Sequence, residues 1–205
     1  ATFGPLSCAA VKRGATIIRY GVGYDNIDLV AAKAAALKVG YVPDYCVDEV
    51  AEHTCAAALT LLRKLTTLDA SIRTGEWTGV KHAKLMKPFS STTFVFFGMG
   101  QIGQAILGRL KGFGFSFIVA DPGLSETQAA EEGAKLVDND TLLATADIIS
   151  LNAPATAQTT NFFNMTRLLQ MQPHSLIVNS ARGQFIVDDD IAPALEQGVI
   201  GGASL

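Results

Sequence analysis

The sequence predicts a doubly wound α/β fold, with helices on both faces of a mostly parallel sheet. Three observations predict it. Strand-like and helix-like segments alternate from about residue 15 to the end. The segments TFVFFG, FSFIVA, DIISLN and SLIVNS are nearly continuous apolar runs, as strands buried on both faces tend to be. A glycine-rich turn, FFGMGQIGQAILGRL, joins one of these strands to a helix of good periodicity.

The elements follow in order. ATIIRY reads as a short strand, and NIDLVAAKAAAL has helical spacing with Asp25 or Asn26 placed to cap its start. KVGYVP is a second strand, ended by Pro43. One long amphipathic helix is predicted over 47–73, stopped by Gly75. Residues 76–91 are the least regular, with Gly79, Pro88 and a Ser/Thr cluster. Beyond them come strand 93–97, helix 101–111, strand 115–120, helix 125–133 and strand 134–137. Helix 139–145, strand 147–152, helix 165–171, strand 175–180, helix 188–197 and strand 201–205 complete the pattern. The domain boundary is expected near the start of the long helix. Residues 1–47 would then be part of a small α/β domain and residues 48–205 a larger one.

Composition narrows the function. The chain has 205 residues, 49% apolar and 17% charged, with a net charge of −3. No Lys/Arg cluster suggests nucleic acid, which needs cations against phosphate. No apolar run reaches the ~18 residues of a membrane span. Cys8, Cys46 and Cys55 are odd in number and lack metal-ligand spacing, so free thiols in a reducing compartment are expected. No leader is recognised, and the expected location is the cytoplasm. The sequence begins with Ala1 and stops on the strand-like run GVIGGASL, so it reads as an internal fragment of a longer protein.

The glycine turn carries the chemistry. Gly98, Gly100 and Gly103 form GxGxxG between a strand and a helix. In such a turn the first glycine permits the tight exit from the strand. The second lets a pyrophosphate approach the backbone, and the third lets the helix pack close. Free N–H groups at the helix start favour the phosphates. Asp121 ends the next strand, about 20 residues on, where a carboxylate accepts hydrogen bonds from the adenosine ribose. It would repel a 2′-phosphate, and Pro122–Gly123 bring no compensating arginine. The expected cofactor is therefore NAD(H), bound to a dinucleotide-binding Rossmann domain.

Two further turns follow strands. Arg182, in NSARGQ, sits where a guanidinium could grip a carboxylate or polarise a carbonyl. It could equally be a surface arginine. Gly21 and Gly23 flank Val22 in RYGVGYDNID, where backbone N–H groups could hold an anion or simply form a capped turn.

Together RYGVGYDNIDLVAA, VPDYCVDEVAEHT, GMGQIGQAILGRLKGFG, VADP and NSARGQFIVDDDIAPALEQGVIGGASL resemble the D-2-hydroxyacid dehydrogenase family. The likeness runs from about residue 12 to 205, and VPDYCVDEVAEHT and ADPGLS look most like the branch related to C-terminal binding protein. The resemblance implies that residues 1–47 belong to a flavodoxin-like substrate domain. It implies that backbone at Val22 and Gly23 holds the substrate carboxylate, with Val22 also beside the nicotinamide. Gln101 and Ile102 would meet the pyrophosphate, and Asp121 the ribose. The stretch from Ala153 to Thr159 would line the cofactor cleft. Ser180 and Ala181 would lie beside the nicotinamide ribose, and Arg182 would be the catalytic arginine.

The implied reaction is hydride transfer between NAD(H) and a small 2-keto or 2-hydroxy acid, in a protein expected to be a homodimer. The alternative is an NAD(H)-responsive scaffold of the C-terminal binding protein type. The family's catalytic Glu and His would follow position 205, and His53, His82 and His174 do not match them. The isolated chain is thus expected to bind NAD(H) weakly or not at all, and to have no turnover. Two departures stand out: Phe96 and Phe97 under the glycine loop, and Ala155-Thr156 in place of Leu-Thr. Trp77 with Lys81, Lys84 and Lys87 lies in the irregular stretch, the lysines reading as a solvated basic face.

Overall fold

The computed structural model describes residues 2–83 and 86–205. Chain contacts divide it into two compact units, 1–47 and 48–205. In the first, α1 (Pro5–Ala10), β1 (Thr16–Arg19), α2 (Leu29–Ala34) and β2 (Lys38–Tyr41) build a two-stranded parallel sheet over a small core of Cys8, Ala32 and Leu37. Helix α2 starts later than its periodicity suggests. Its cap is neither Asp25 nor Asn26 but Asp28, whose carboxylate accepts from the Ala31 N–H at 2.8 Å. The bridge between Phe3 and Ile27 explains this, because it holds residues 26–28 extended.

The second unit opens with α3 (Val47–Leu62), α4 (Leu65–Arg73) and α5 (Gly79–Ala83). The single helix expected over 47–73 is in fact two. Lys64 takes a left-handed conformation (φ 52°) and breaks it. At the break the Arg63 guanidinium donates to the Lys87 carbonyl and lies 4.4 Å from the centre of the Phe89 ring. Neither partner is near in sequence, so the helical period runs through the break without showing it.

A strand-helix series follows: β3 (Thr93–Phe97), α6 (Gln101–Leu110), β4 (Ser116–Ala120), α7 (Glu126–Glu132), β5 (Lys135–Leu136) and α8 (Asn139–Thr145). Then come β6 (Ile148–Leu151), α9 (Met165–Leu168), β7 (Leu176–Asn179), α10 (Asp188–Glu196) and β8 (Gly202–Ser204). Among the described residues they form a six-stranded parallel sheet in the order β5-β4-β3-β6-β7-β8. This is the dinucleotide-binding order, with its reversal point between β3 and β6. Two apolar layers cover the sheet, one under α3 and α6, the other under α8, α9 and α10.

Pleating sends the two unusual phenylalanines to opposite layers. Phe96 is fully buried and packs 6.0 Å from Phe117. Phe97 packs 4.6 Å from Phe162 and 5.5 Å from Phe163. The bulk that departs from the expected pattern therefore packs into the core on both faces of the sheet.

Candidate functional site

Because β3, β4, β6 and β7 are parallel, their carboxyl ends share one edge of the sheet. The residues that leave those ends are Gly98, Asp121, Ala153 and Arg182. Four signals spread along the sequence thus arrive on one rim.

The three glycines have separate reasons. Gly98 has φ +92°, and a Cβ there would stand 2.6 Å from the Ala153 backbone N. It lets β3 and β6 close together at the reversal point. Gly100 starts α6 with ordinary extended backbone (φ −76°, ψ −166°), and a Cβ on it would enter open space. Here no protein atom requires the side chain to be missing. Gly103 is buried, 3.0 Å from the Gly98 carbonyl and 3.4 Å from Met99 Sδ as measured from its would-be Cβ. It fits the helix against its own loop. Gln101 and Ile102 occupy the first turn of α6, where no side chain caps the helix and the N–H groups stay open.

Asp121 anchors this loop. One carboxylate oxygen accepts from the Met99 N–H at 2.8 Å, the other from the Gly123 N–H at 2.8 Å. Each oxygen keeps a second lone pair for an incoming hydroxyl. Asp121 faces a cavity of about 670 Å³ that Phe97, Gly98, Asp138, Ala153, Thr156 and Thr159 also line. Thr159 Oγ1 donates to the Pro154 carbonyl (2.8 Å) and accepts from the Thr156 N–H (2.8 Å), which fixes the turn after β6. The Ala155-Thr156 departure thus supports the wall of the cleft.

Asp138 was missed from the sequence. It caps α8 by accepting from the Thr141 N–H at 2.7 Å. That backbone bond, with the Thr141 hydroxyl second, lowers its carboxyl below the ordinary value. Asp121 and Asp138 thus put two carboxylates on one cavity, a poor setting for an added phosphate. The Ser-Asp-Asn class of helix cap in VDND was the available signal, but capping alone does not point to a ligand.

Arg182 is held by its own turn. Asn179 Oδ1 accepts from the Ala181 N–H (3.1 Å) and the Arg182 N–H (3.2 Å), while Asn179 Nδ2 donates to the Arg182 carbonyl at 2.8 Å. The guanidinium also donates to the Ala181 carbonyl at 2.8 Å. Ser180 lies 2.5 Å from the hydroxyl of Thr54 on α3. Val22 and Gly23 follow β1 in the other unit, half-buried in a turn, with Gly21 at φ +142°.

The other candidates separate. His53 is exposed on α3. Lys87 is exposed, as expected of a solvated face, but it is paired. Its ammonium lies 2.6 Å from Asp147 Oδ1, and His174 Nε2 lies 2.6 Å from that same oxygen. Lys81 is exposed, and Lys84 lies outside the described residues. The Lys87–Asp147–His174 cluster sits at the amino ends of β6 and β7, across the sheet from Arg182. Burial pushes the Asp147 carboxyl up, but Lys87, the Thr93 N–H (2.8 Å) and His174 outweigh it and leave the carboxyl below its ordinary value.

A depressed carboxyl contributes stability above the unfolded value of about 3.9, and that contribution fades as pH falls through the lower folded value. Asp147→Asn should therefore be less stable than wild type at pH 7, with the gap closing below about pH 4. Urea melts across pH check this, and a gap that persists at low pH overturns it.

Cys8 and Cys55 are buried, and burial raises the Cys55 thiol. No group of three or more His, Cys, Asp or Glu among the described residues could hold a metal. No described helix is long and apolar enough to cross a membrane.

Comparison with known proteins gives the family and the fold. Residues 55–205 match the family model "D-isomer specific 2-hydroxyacid dehydrogenase, NAD binding domain". A glyoxylate reductase of Thermococcus litoralis is 34% identical over 92% of this chain and 59% of its own length. A D-3-phosphoglycerate dehydrogenase of Mycobacterium leprae is 34% identical over 96% of this chain and 37% of its own. The chain thus spans well under two thirds of these relatives. Among solved structures, an NAD-dependent formate dehydrogenase of Staphylococcus aureus in complex with NAD superposes with a TM-score of 0.82. It is 31% identical, over 92% of this chain and 56% of its own. The NAD-complexed D-isomer specific 2-hydroxyacid dehydrogenase of Lactobacillus delbrueckii ssp. bulgaricus gives 0.78. It is 26% identical, over 98% of this chain and 60% of its own.

Proposed function

The chain belongs to the D-isomer specific 2-hydroxyacid dehydrogenase family, as its NAD-binding domain, and from that premise we propose that the whole protein reduces a small 2-keto acid with NADH. One observation carries the proposal: Arg182 leaves β7 on the same sheet edge as the glycine loop and Asp121. A charged, fork-shaped donor beside a dinucleotide cleft suits a keto acid, which has a carboxylate and a carbonyl to grip.

The residues present fit NAD(H). Gly100 would leave room for a phosphate, and no side chain caps the N–H groups at the start of α6. Gly98, Gly100, Gln101, Ile102 and Gly103 would hold the pyrophosphate. Asp121 would take the ribose, and Ala153 and Thr159 the cleft wall. Ser180 and Ala181 would flank the nicotinamide end. When bound, NADH supplies the hydride. Arg182 orients the acid and draws charge from its carbonyl. The proton is proposed to come from a His-Glu pair beyond these residues, since His174 is committed to Asp147 at the opposite sheet edge. By itself the chain is proposed to have no turnover.

The exposed apolar side chains Leu65, Ile72, Trp77 and Val80 on and around α4 and α5 support a homodimer.

The test is NADH oxidation by the full-length protein against a panel of 2-keto acids, with NADPH in parallel. Turnover with NADH well above that with NADPH is expected, because Asp121 and Asp138 oppose a 2′-phosphate. No turnover, together with an NADH-dependent peptide complex, would favour the scaffold role instead. Sedimentation at the monomer mass would remove the dimer.

A further inference from the structure

Thr54 has no place in the site so far, yet it is the one fully buried hydroxyl of α3 and it touches the Arg182 turn. Its Oγ1 lies 2.7 Å from the Val50 carbonyl and 2.5 Å from Ser180 Oγ. A hydroxyl has one proton. The carbonyl can only accept, so the Thr54 proton belongs to Val50. With both bonds made, Ser180 is the donor to Thr54. The result is a short directed chain, from Ser180 through Thr54 to the helix backbone, with every proton assigned.

Two consequences follow. Ser180 is tied to α3 while Asn179 ties Ala181 and Arg182 to β7, so the turn that carries the guanidinium is held from both sides. And Ser180, with its proton given to Thr54, keeps only acceptor capacity for a ligand.

We propose that Thr54 is a positioning residue for the cofactor and Arg182, acting through Ser180. It makes Ser180 an acceptor that receives a hydroxyl or amide N–H of the bound dinucleotide and turns away carboxylates and phosphates. The substrate carboxylate is thereby kept off Ser180. This rests on the NADH-dependent reading above.

The test uses the full-length protein and four variants: Thr54→Val, Thr54→Ser, Ser180→Ala and the double Thr54→Val/Ser180→Ala. NADH dissociation constants come from fluorescence titration, with thermal melts alongside and KM and kcat for the keto acid where there is turnover. Thr54→Val and Ser180→Ala should each weaken NADH on the order of tenfold. The double should be no worse than the worse single, because both remove one interaction. Thr54→Ser should stay within about twofold of wild type.

Wild-type affinity in folded Thr54→Val overturns the proposal. So do multiplying penalties, or a Thr54→Ser as impaired as the valine, which would make the methyl packing decisive. If the valine variant does not fold, wild-type affinity in Ser180→Ala is enough to overturn it. A wild-type protein that binds no NADH sinks both this proposal and the proposed function. NADH binding with the expected pattern but without keto-acid turnover sinks only the enzyme.

Discussion

Replacing Arg182 by leucine should lower kcat/KM of the full-length protein by about 10³-fold, the usual cost of removing a donor aimed at developing charge. NADH binding should change far less, because the proposed pyrophosphate and ribose contacts lie on the glycine loop and Asp121, at the ends of other strands. Arg182→Lys should recover little. Lysine keeps the charge but loses the planar fork that meets a carboxylate with two parallel bonds. The fold should be unaffected, since Asn179 holds the turn through backbone N–H and C=O groups at 179–182 that any residue provides. Steady-state kinetics and NADH titration on the same preparation check this. An Arg182→Leu enzyme with near wild-type kcat/KM removes Arg182 from the chemistry, and one that has lost NADH affinity equally makes it a cofactor residue instead.

The second large effect separates two glycines only two positions apart. Gly98→Ala should destabilise the domain by roughly 2–3 kcal/mol, because φ +92° is a conformation L side chains resist. Its new Cβ would also stand 2.6 Å from backbone rather than from a flexible side chain that could move. For a domain of this size that is a melting-temperature drop of about 5–10 °C. Gly100→Ala should do nearly the opposite. Its backbone is ordinary and its Cβ meets no protein atom within 4 Å, so stability should hold within about 0.5 kcal/mol. NADH affinity should nevertheless fall at least about 100-fold, because the methyl occupies the space where a pyrophosphate approaches. Thermal melts and NADH titrations of the two variants test the contrast. A destabilised Gly100→Ala, or one that binds NADH normally, would mean that the open space in front of α6 is not a phosphate site.

Much of this architecture could be read before folding. Strands buried on both faces must be apolar at nearly every position, so β3, β4, β6 and β7 stood out as runs. The glycine loop was legible because Gly98, Gly100 and Gly103 fall within six residues, between an apolar strand and a periodic helix. Asp121 and Arg182 were legible because they directly follow apolar strands, and parallel strands bring such residues to one edge.

The tertiary structure decided the rest. Asp147 meets Lys87 from 60 positions away, and Thr54 meets Ser180 from 126. Pairs so distant leave no period and no spacing in a single sequence. Lys87 therefore read as one of several surface lysines, and Thr54 carried no signal of its own. The break at Lys64 and the shifted cap at Asp28 have the same origin. Each depends on a partner segment, around Phe89 in one case and Phe3 in the other, that propensity and periodicity do not include. Local backbone geometry and strand burial are written in neighbouring residues. Polar partnerships in the interior are set by which elements the sheet brings together, and they exist only once it has formed.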